Sequence, residues 1–533
     1  MGSGLRRTAF DQASYTYWTG KYGLVNVKDF GAVGDGVHDD TAAIQRAINT
    51  ANKAGRTIFL PPGEYLTSST LKITEDGTVF YGLGNNSING PTVIRPVSMA
   101  FDVFEISVYY GCTMANFNIK VVNQAGEGGR AFFLNNTQNV TLRNIGASNL
   151  YNGVYVTGGA ITFDNVNMGL ADISDTERYG YYVTGISGNG NLTTGIDSGV
   201  TGAPSYPNAV NGWVLADGYN TLILKNCGAS NCNIGLWSTS GGGSPPNYLQ
   251  TYNFGVQLSN TGVQLDNGYF AFFDGLLIIQ SSVNSFLVNS TYEGGPIQVQ
   301  SANLMTTTGG MKILGGTSFY LANSALLGIG QNTTGTNAAL ELSGSISAVA
   351  TGVQASQGSG ANVGVIKLDA NFSGKFSLGE FLLSNGYVGI EVESGCTGMF
   401  KISNGIINNM FAYNTSLASV PVGSQIMNVS GYNPLGEIAP PASPFVSGTV
   451  YQNTAPVPLT IYQPAYATTS GTAGSVAVAL GSSSSPSTLF TQWVNGSTTS
   501  SLPEVIQLRV PPGWYYSFTT TGATLANAQI QGE

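Results

Sequence analysis

The chain is poor in charged side chains, which excludes several classes of protein. Charged residues make up 9% of the 533 residues, against roughly 25% in an ordinary globular chain. Only 19 residues are lysine or arginine and the formal net charge is −9, so the basic stripe of a nucleic-acid-binding protein is missing. No apolar run reaches the roughly eighteen residues of a membrane span. We therefore expect neither a nucleic-acid partner nor membrane insertion.

Histidine and cysteine are also scarce, which limits the chemistry that the chain can perform. The sequence holds one histidine, His38, and 4 cysteines. Cys112, Cys227, Cys232 and Cys396 stand far apart in strand-like runs, so we expect buried thiols rather than disulfides or a metal site. His38 belongs to a predicted turn, and we do not expect it to be catalytic. No cofactor and no metal are predicted.

Residues 24–66 are predicted to form a strand, a helix and a returning strand. Asp39, Asp40 and Thr41 offer side-chain oxygens to the first N–H groups of the helix. The helix carries a narrow apolar stripe at i, i+3, i+4 and i+7, formed by Ile44, Ala47, Ile48 and Ala51. The returning strand ends at the Pro-Pro-Gly of residues 61–63. An amphipathic helix in this position can cover the open end of a parallel β-helix, whose edge is otherwise unpaired.

The sequence motifs DFGAVGDG, DDTAAIQ and LPPGEY within this segment resemble the opening of the pectate-lyase-like β-helix superfamily. That superfamily includes polysaccharide lyases, mannuronan epimerases, many glycoside hydrolases and bacteriophage tailspike depolymerases. The resemblance implies an all-β fold, a right-handed parallel β-helix with an N-terminal capping helix. We expect an N-terminal segment (1–23), the β-helix (24–440, with its cap at 24–66) and a C-terminal β domain (441–533).

An internal repeat indicates how the coils are built. Residues 142–155 (LRNIGASNLYNGVY) align with residues 224–237 (LKNCGASNCNIGLW) at an offset of 82, which is 226 minus 144. Solenoid coils of this kind run roughly 20–25 residues, so the offset corresponds to about four coils, or three with an insertion. We predict that Asn144 and Asn226 occupy equivalent left-handed corners and that their amides stack in a ladder.

The composition changes near residue 440. Residues 446–533 contain only Glu504, Arg509 and Glu533 as charges, and alternating runs separated by Ser, Thr and Gly predict a small β-sandwich. The segment VPPGWYYSFTTTG, residues 510–522, resembles terminal domains that are attached to β-helices in phage tail appendages. This second resemblance implies a role in trimer assembly or in glycan binding.

Three reaction motifs known in the superfamily are absent from the sequence. They are the Asp-Pro-His of mannuronan epimerases, the Gly-His-Gly and Arg-Ile-Lys of polygalacturonase-type hydrolases, and the Trp-x-Asp-His calcium strand of pectate lyases. A polyuronate lyase must also neutralise a substrate carboxylate, and the sparse cations count against that. The remaining chemistry is glycoside hydrolysis by two carboxylates, one as acid and one as nucleophile or base.

The densest charge cluster of the body, residues 171–180 (ADISDTERYG), supplies the candidate catalytic residues Asp172, Asp175 and Glu177. Neighbouring carboxylates raise one another's pKa, so that one can stay protonated as the acid while the other is ionised as the base. Sugar binding needs flat aromatic side chains and hydrogen-bonding groups. The candidate substrate-binding residues are Arg178, Tyr179, Tyr182, Trp213, Trp237 and Tyr248. The structural alternatives are a solvated loop for the acidic cluster and aromatic stacking inside the coils.

The sequence thus predicts a homotrimeric, tailspike-type depolymerase in a virion tail. It would bind and cleave a bacterial capsular or exopolysaccharide by glycoside hydrolysis. Two other functions stay open: a polysaccharide lyase with Tyr179 or Tyr182 as base and Arg178 as charge clamp, and a non-catalytic glycan-binding spike. A secreted bacterial polysaccharide enzyme is a further interpretation.

Overall fold

The computed structural model describes residues 23–52, 57–84, 90–174, 177–185, 192–240, 244–292, 294–305, 308–330, 337–358, 363–408, 410, 413–430, 445–454, 458–469, 472–494, 504–526 and 528–532. The chain divides into two compact units, residues 1–333 and 334–533. Residues 1–22 of the predicted N-terminal segment and the predicted domain boundary at 440 lie outside the described residues.

The first unit consists of coils in which each strand pairs in parallel with its equivalent in the next coil, forming three sheets. Sheet A comprises Asp35–Asp39, Gly63–Thr67, Thr92–Pro96, the C-terminal parts of Cys112–Lys120, Arg130–Leu150 and Asn152–Leu170, then Gly199–Thr201, Gly228–Ser230, Gly255–Gln257, Leu277–Ile279, Asn303–Met305 and Ala325–Ile329. Sheet B comprises Leu71–Ile73, Phe104–Ile106, the N-terminal parts of Arg130–Leu150 and Asn152–Leu170, Arg178–Thr184, Val210–Ala216, Ile234–Ser238, Thr261–Leu265, Asn284–Val288 and Met311–Ile313. Sheet C comprises Val25–Asn26, Thr57–Phe59, Thr78–Tyr81, the N-terminal part of Cys112–Lys120, the middle parts of the two long strands, Leu192–Ile196, Thr221–Lys225, Tyr248–Tyr252, Phe270–Asp274, Ile297–Gln300 and Ser318–Ala322. The predicted right-handed parallel β-helix is confirmed.

The capping helix is confirmed as Thr41–Asn52, preceded by the 3₁₀ helix Val27–Phe30. The buried Asp40 carboxylate accepts hydrogen bonds from the backbone N of Val33 at 2.6 Å and of Gly34 at 3.0 Å, which folds the glycine-rich turn against the helix start. The predicted stripe of Ile44, Ala47, Ile48 and Ala51 is 0% exposed. In the described part of the chain, no helix has the length and apolarity needed to cross a membrane.

The predicted asparagine ladder is confirmed at the corner between sheets C and A. Asn144 has a φ of 51°, donates to Asn116 Oδ1 at 2.9 Å and accepts from Asn165 Nδ2 at 3.0 Å. Asn226, with a φ of 52°, donates to Asp197 Oδ1 at 3.0 Å. Asn144, Asn165, Asp197 and Asn226 follow one another at this corner, so the repeat spans three coils that include an insertion.

Buried apolar side chains fill the coils of the first unit, among them Phe80, Phe104, Phe117 and Phe132, whose neighbouring rings stack or meet edge to face. All 4 cysteines are buried and free, as predicted. Burial raises the pKa of the Cys232 thiol to about 12, so this group stays protonated at neutral pH.

The second unit continues with parallel coil strands and then changes to antiparallel sheets. The coil strands are Leu340–Leu342, Ser347–Gln357, Gly364–Leu368, Lys375–Ser384, Val388–Val392, Met399–Asn408, Tyr413–Leu417 and Gln425–Ser430. One four-stranded antiparallel sheet contains Val450–Gln452, Tyr515–Thr521, Gly474–Gly481 and Ser487–Val494, and the other contains Glu504–Val510, Leu459–Ala467, Ala523–Leu525 and Gln529–Gly532. The two sheets enclose one apolar core, so the predicted C-terminal β-sandwich is confirmed.

Candidate functional site

Sheet B carries a line of aromatic side chains that follows the helix axis. Phe133 pairs with Tyr155, Tyr155 with Tyr182, Tyr182 with Val214, and Val214 with Trp237. The Tyr155 and Tyr182 rings are parallel within 2°, with centroids 5.0 Å apart. Neighbouring strands of a sheet lie about 4.8 Å apart, so Phe133, Tyr155 and Tyr182 stand on adjacent strands, while Val214, which is 1% exposed, separates Tyr182 from Trp237. Phe133, Tyr155, Tyr182 and Trp237, all half-buried, are called the aromatic row below.

A paired cation supports one end of the aromatic row. The Nε and Nη2 groups of Arg130 donate to the two carboxylate oxygens of Asp102 at 2.8 and 2.7 Å. The same guanidinium lies 3.8 Å from the centroid of the Phe133 ring. It also hydrogen-bonds Tyr179, whose ring centroid is 5.2 Å from that of Tyr182. Arg130 therefore holds the aromatic side chains in place with its charge already neutralised.

Two carboxylates stand at opposite edges of sheet B, on either side of Tyr182 along the strand direction. Burial is the main cause that raises the pKa of Tyr182 to about 12, and Tyr155, Asp217 and Glu177 act in the same direction. Glu177 is exposed at the start of the Tyr182 strand, and Asp217 is half-buried directly after the neighbouring strand. Glu177 has a φ of 36°, a left-handed conformation that costs a side chain of this kind about 1–2 kcal/mol. Strain of this sort is often retained where a side chain serves function.

At the other end of the aromatic row, a carboxylate fixes the orientation of Trp237. The indole Nε1 of Trp237 donates to Asp266 Oδ2 at 2.7 Å. Asp266 Oδ1 accepts from Gln264 Nε2 at 2.9 Å and from Asn289 Nδ2 at 3.2 Å. The result is a flat apolar ring with amide groups at its edge, which is the composition of a sugar subsite.

Two of the predicted substrate-binding residues are buried, and the prediction is wrong for both. Arg178 is 0% exposed, and its Nη1 and Nη2 groups donate to the backbone oxygens of Ala171 at 2.8 Å and Ile173 at 2.9 Å. Trp213 is also 0% exposed and stacks on Tyr181 inside the coils, with centroids 3.8 Å apart. Both side chains point inward from their strands, so no glycan reaches them.

The remaining predicted residues lie in different places. Tyr179, Tyr182 and Trp237 lie on strands of sheet B, and Glu177 directly precedes the strand that holds the two tyrosines. Asp172 lies in an exposed loop, where its two carboxylate oxygens accept from the N of Ser205 at 2.9 Å and from its Oγ at 2.6 Å. Tyr248 is 48% exposed but belongs to sheet C, beside Phe270. Asp175 lies outside the described residues, so its role stays a prediction.

The aromatic and charged residues of this surface that the sequence prediction missed are Asp102, Arg130, Phe133, Tyr155, Asp217 and Asp266. The internal repeat held a signal for one of them, because it aligned Tyr155 with Trp237 and both belong to the aromatic row. Asp102, Arg130 and Asp217 come from three different coils, and no pattern in the sequence connects them.

A concave surface lies on sheet A and differs in character from the aromatic row on sheet B. It encloses about 620 Å³ over a floor that includes Gly199, Gly228 and Gly255, and its lining contains no ionisable side chain. Acid–base chemistry therefore has no groups to use there. Within the described ranges, no group of three His, Cys, Asp or Glu side chains is arranged to hold a metal ion.

The first part of the chain is similar in sequence to several known proteins. Residues 24–100 match the family described as rhamnogalacturonase A/epimerase, pectate lyase-like. A mannuronan C5-epimerase of Azotobacter vinelandii is 32% identical over 165 residues, which are 29% of this chain and 27% of the relative. The plasmin and fibronectin-binding protein A of Streptococcus pneumoniae is 30% identical over 158 residues, 24% of this chain and 21% of the relative. The chain thus spans about a quarter of these relatives' length or less.

Among solved structures, the N-terminal fragment of bacteriophage Phi29 gene product 12 is similar, with a TM-score of 0.48 and 15% identity. The match covers 76% of this chain and 72% of the fragment. The opening residues thus match a pectate-lyase-like family model, and the coils of three parallel sheets form a right-handed parallel β-helix.

Proposed function

We propose that the chain is a tailspike-type polysaccharide depolymerase, which binds a bacterial capsular or exopolysaccharide along sheet B and cleaves it by glycoside hydrolysis. The observation that carries this proposal is the aromatic row, with the exposed carboxylate of Glu177 directly before the strand that holds Tyr179 and Tyr182. The apolar faces of successive sugar rings stack on such a row, and carboxylates supply the acid and the base that hydrolysis requires. The epimerase activity named for one relative also acts on a polysaccharide, mannuronan.

Within this proposal, Glu177 is one of the two catalytic carboxylates. Its partner is Asp175, two residues before Glu177 in the chain, because Asp217 lies eight residues along the paired strand from the position opposite Glu177, well beyond the roughly 5–10 Å that separates two catalytic carboxylates. Asp172, whose two oxygens are bonded to Ser205, has the role of joining two loops. Tyr179, Tyr182 and Trp237 bind the sugar rings.

Two features favour hydrolysis over the lyase alternative. The Arg178 guanidinium, which the lyase mechanism needs as a charge clamp, is buried. Burial also raises the pKa of Tyr182 to about 12, and it raises the pKa of Tyr179 although Arg130 acts in the opposite direction. Phenols in this state keep their protons at neutral pH, so they are poor general bases.

Product analysis tests the proposed reaction. The protein is incubated with host polysaccharide, and products are followed by mass spectrometry and ultraviolet absorbance. We expect shorter chains that have each gained one water per cleavage and no new absorbance. Products with an unsaturated, absorbing sugar would assign the chain to the lyases instead. Unchanged polymer length across several glycans that bind would support the non-catalytic spike, for which the aromatic row alone is sufficient.

The proposal includes assembly as a homotrimer through the C-terminal domain and a place in a virion tail, with secretion by a bacterium as the alternative. The resemblance of residues 510–522 to phage tail domains supports this assembly. Light scattering of the full chain is expected to give three times the 55.4 kDa of one chain. A mass close to one chain would contradict the trimer without affecting the assignment of sheet B.

A further inference from the structure

We propose that the glycan bound along sheet B is a polymer of uncharged sugars, and that polymers with a carboxylate on each repeat are excluded by charge. This inference rests on the proposed function and specifies its substrate class. It follows from where the charges of sheet B lie and from which of them already have partners.

The strands that carry the aromatic row offer no cation to an acidic ligand. Between Arg130 and Leu265, the described strands of sheet B contain only Arg130 and Arg178 as basic residues. Arg130 is bonded through two nitrogens to Asp102, and Arg178 is buried against backbone carbonyl groups. Further along the axis, Lys72 forms an ion pair with Glu105 at 3.1 Å. Between Arg130 and Leu265, a substrate carboxylate would therefore find no unengaged cation; Lys312, the next basic residue in line with the aromatic row, lies three strands beyond Trp237.

The same surface carries negative charge that remains after this pairing. Glu177 is exposed directly before the strand of Tyr182, and the Asp266 carboxylate accepts a hydrogen bond from the Trp237 indole. A polyuronate lying on the aromatic row would bring its carboxylates next to these groups and would lose hydration without compensation. Like charges placed in this way are a common device by which a binding surface rejects the wrong partner.

The groups that surround the rings suit neutral hydroxyl and amide substituents. Gln264 and Asn289 border the Trp237 ring with amides that are held by Asp266, and the Tyr182 hydroxyl stays protonated because its pKa is raised to about 12. Such groups both donate and accept hydrogen bonds without net charge. Flat rings with a neutral polar edge therefore match uncharged sugars.

The test uses an array of bacterial polysaccharides in which each acidic member is printed twice, once native and once after chemical reduction of its carboxyl groups. The full chain is expected to bind neutral and carboxyl-reduced members at least about tenfold more tightly than their acidic counterparts. Binding to a neutral member should change less than about twofold between 20 and 500 mM NaCl, since no ion pair is involved. Trp237→Ala should weaken binding about tenfold, whereas Tyr320→Ala, which removes a 44% exposed ring on sheet C, should not.

A pair of charge variants shows whether sheet B itself makes the discrimination. Thr184 and Thr194 are both half-buried, in strands of sheets B and C respectively. Thr184→Lys is expected to improve binding of acidic members severalfold, while Thr194→Lys leaves it unchanged. Native acidic members that bind as well as their reduced forms, with loss in Trp237→Ala, would overturn this inference and leave the proposed function standing. An array on which the wild-type chain binds nothing would overturn both.

Discussion

The Glu177→Gln protein is expected to cleave its polysaccharide about 10²–10⁴ times more slowly than the wild type, which is the usual loss when a positioned acid or base is removed. Glutamine keeps the size and the hydrogen-bonding capacity of the side chain but neither gives nor takes a proton. The Glu177 side chain is exposed directly before the strand of Tyr182 and is not packed in the core. The substitution should therefore leave the fold and the affinity for the polymer unchanged. Turnover is followed by the release of reducing ends, and binding is measured separately on the same array of glycans.

The partner carboxylate and the control follow from the same comparison. Asp175→Asn is measured beside Glu177→Gln, and a fall in turnover by a similar factor identifies Asp175 as the partner. Asp274→Asn makes the same chemical change on sheet C and should leave turnover unaltered. Unaltered turnover in both Glu177→Gln and Asp175→Asn would contradict the carboxylate pair and the proposed hydrolysis at this surface.

Trp213→Ala is expected to destabilise the first unit by about 3–5 kcal/mol, the usual cost of removing a large buried aromatic side chain. The indole is 0% exposed and stacks on Tyr181 with an interplanar angle of 7°. The loss leaves a cavity between coils that depend on each other for burial. At roughly 2–4 °C per kcal/mol for a unit of this size, the first thermal transition should fall by about ten degrees.

Trp493→Ala is the matched control for this substitution. Trp493 is 68% exposed in the strand Ser487–Val494, so its removal should leave the transition nearly unchanged. Below the transition, Trp213→Ala should bind polysaccharide as well as the wild type, since the indole does not face the ligand. A variant with normal stability and weakened binding would restore Trp213 to the substrate-binding residues.

The features predicted correctly from the sequence are those that local rules control. The capping helix depends on oxygens placed before its first turn and on an apolar stripe at helical spacing, and both are contained within a dozen residues. Asn144 and Asn226 were placed at left-handed corners because a short amide side chain tolerates that conformation and the repeat aligned them. Short runs of alternating apolar and polar residues were likewise sufficient to predict the C-terminal β-sandwich.

Local sequence rules did not predict which face of the sheet each side chain points to. In the strand Arg178–Thr184, Tyr181 is buried and Tyr182 is half-exposed, and strict alternation would place Tyr179 and Tyr181 on the same face. Gly180 interrupts the alternation where a Cβ atom would lie 2.3 Å from Val200 Cγ2 in another sheet. That contact exists only after the coil has closed, so the inward position of Arg178 and the outward position of Tyr182 are tertiary properties.

The sequence by itself determined that this chain is a capped parallel β-helix with a terminal sandwich, poor in charge and lacking three known reaction motifs of its superfamily. Only the tertiary structure decided which side chains share a surface. Asp102, Arg130 and Tyr179 come from different turns of the chain and meet because stacked coils place equivalent strands side by side, at about 4.8 Å. Solenoid coils bring together residues some 20 to 30 positions apart, and the lengths of the intervening loops, which set that register, follow no local rule.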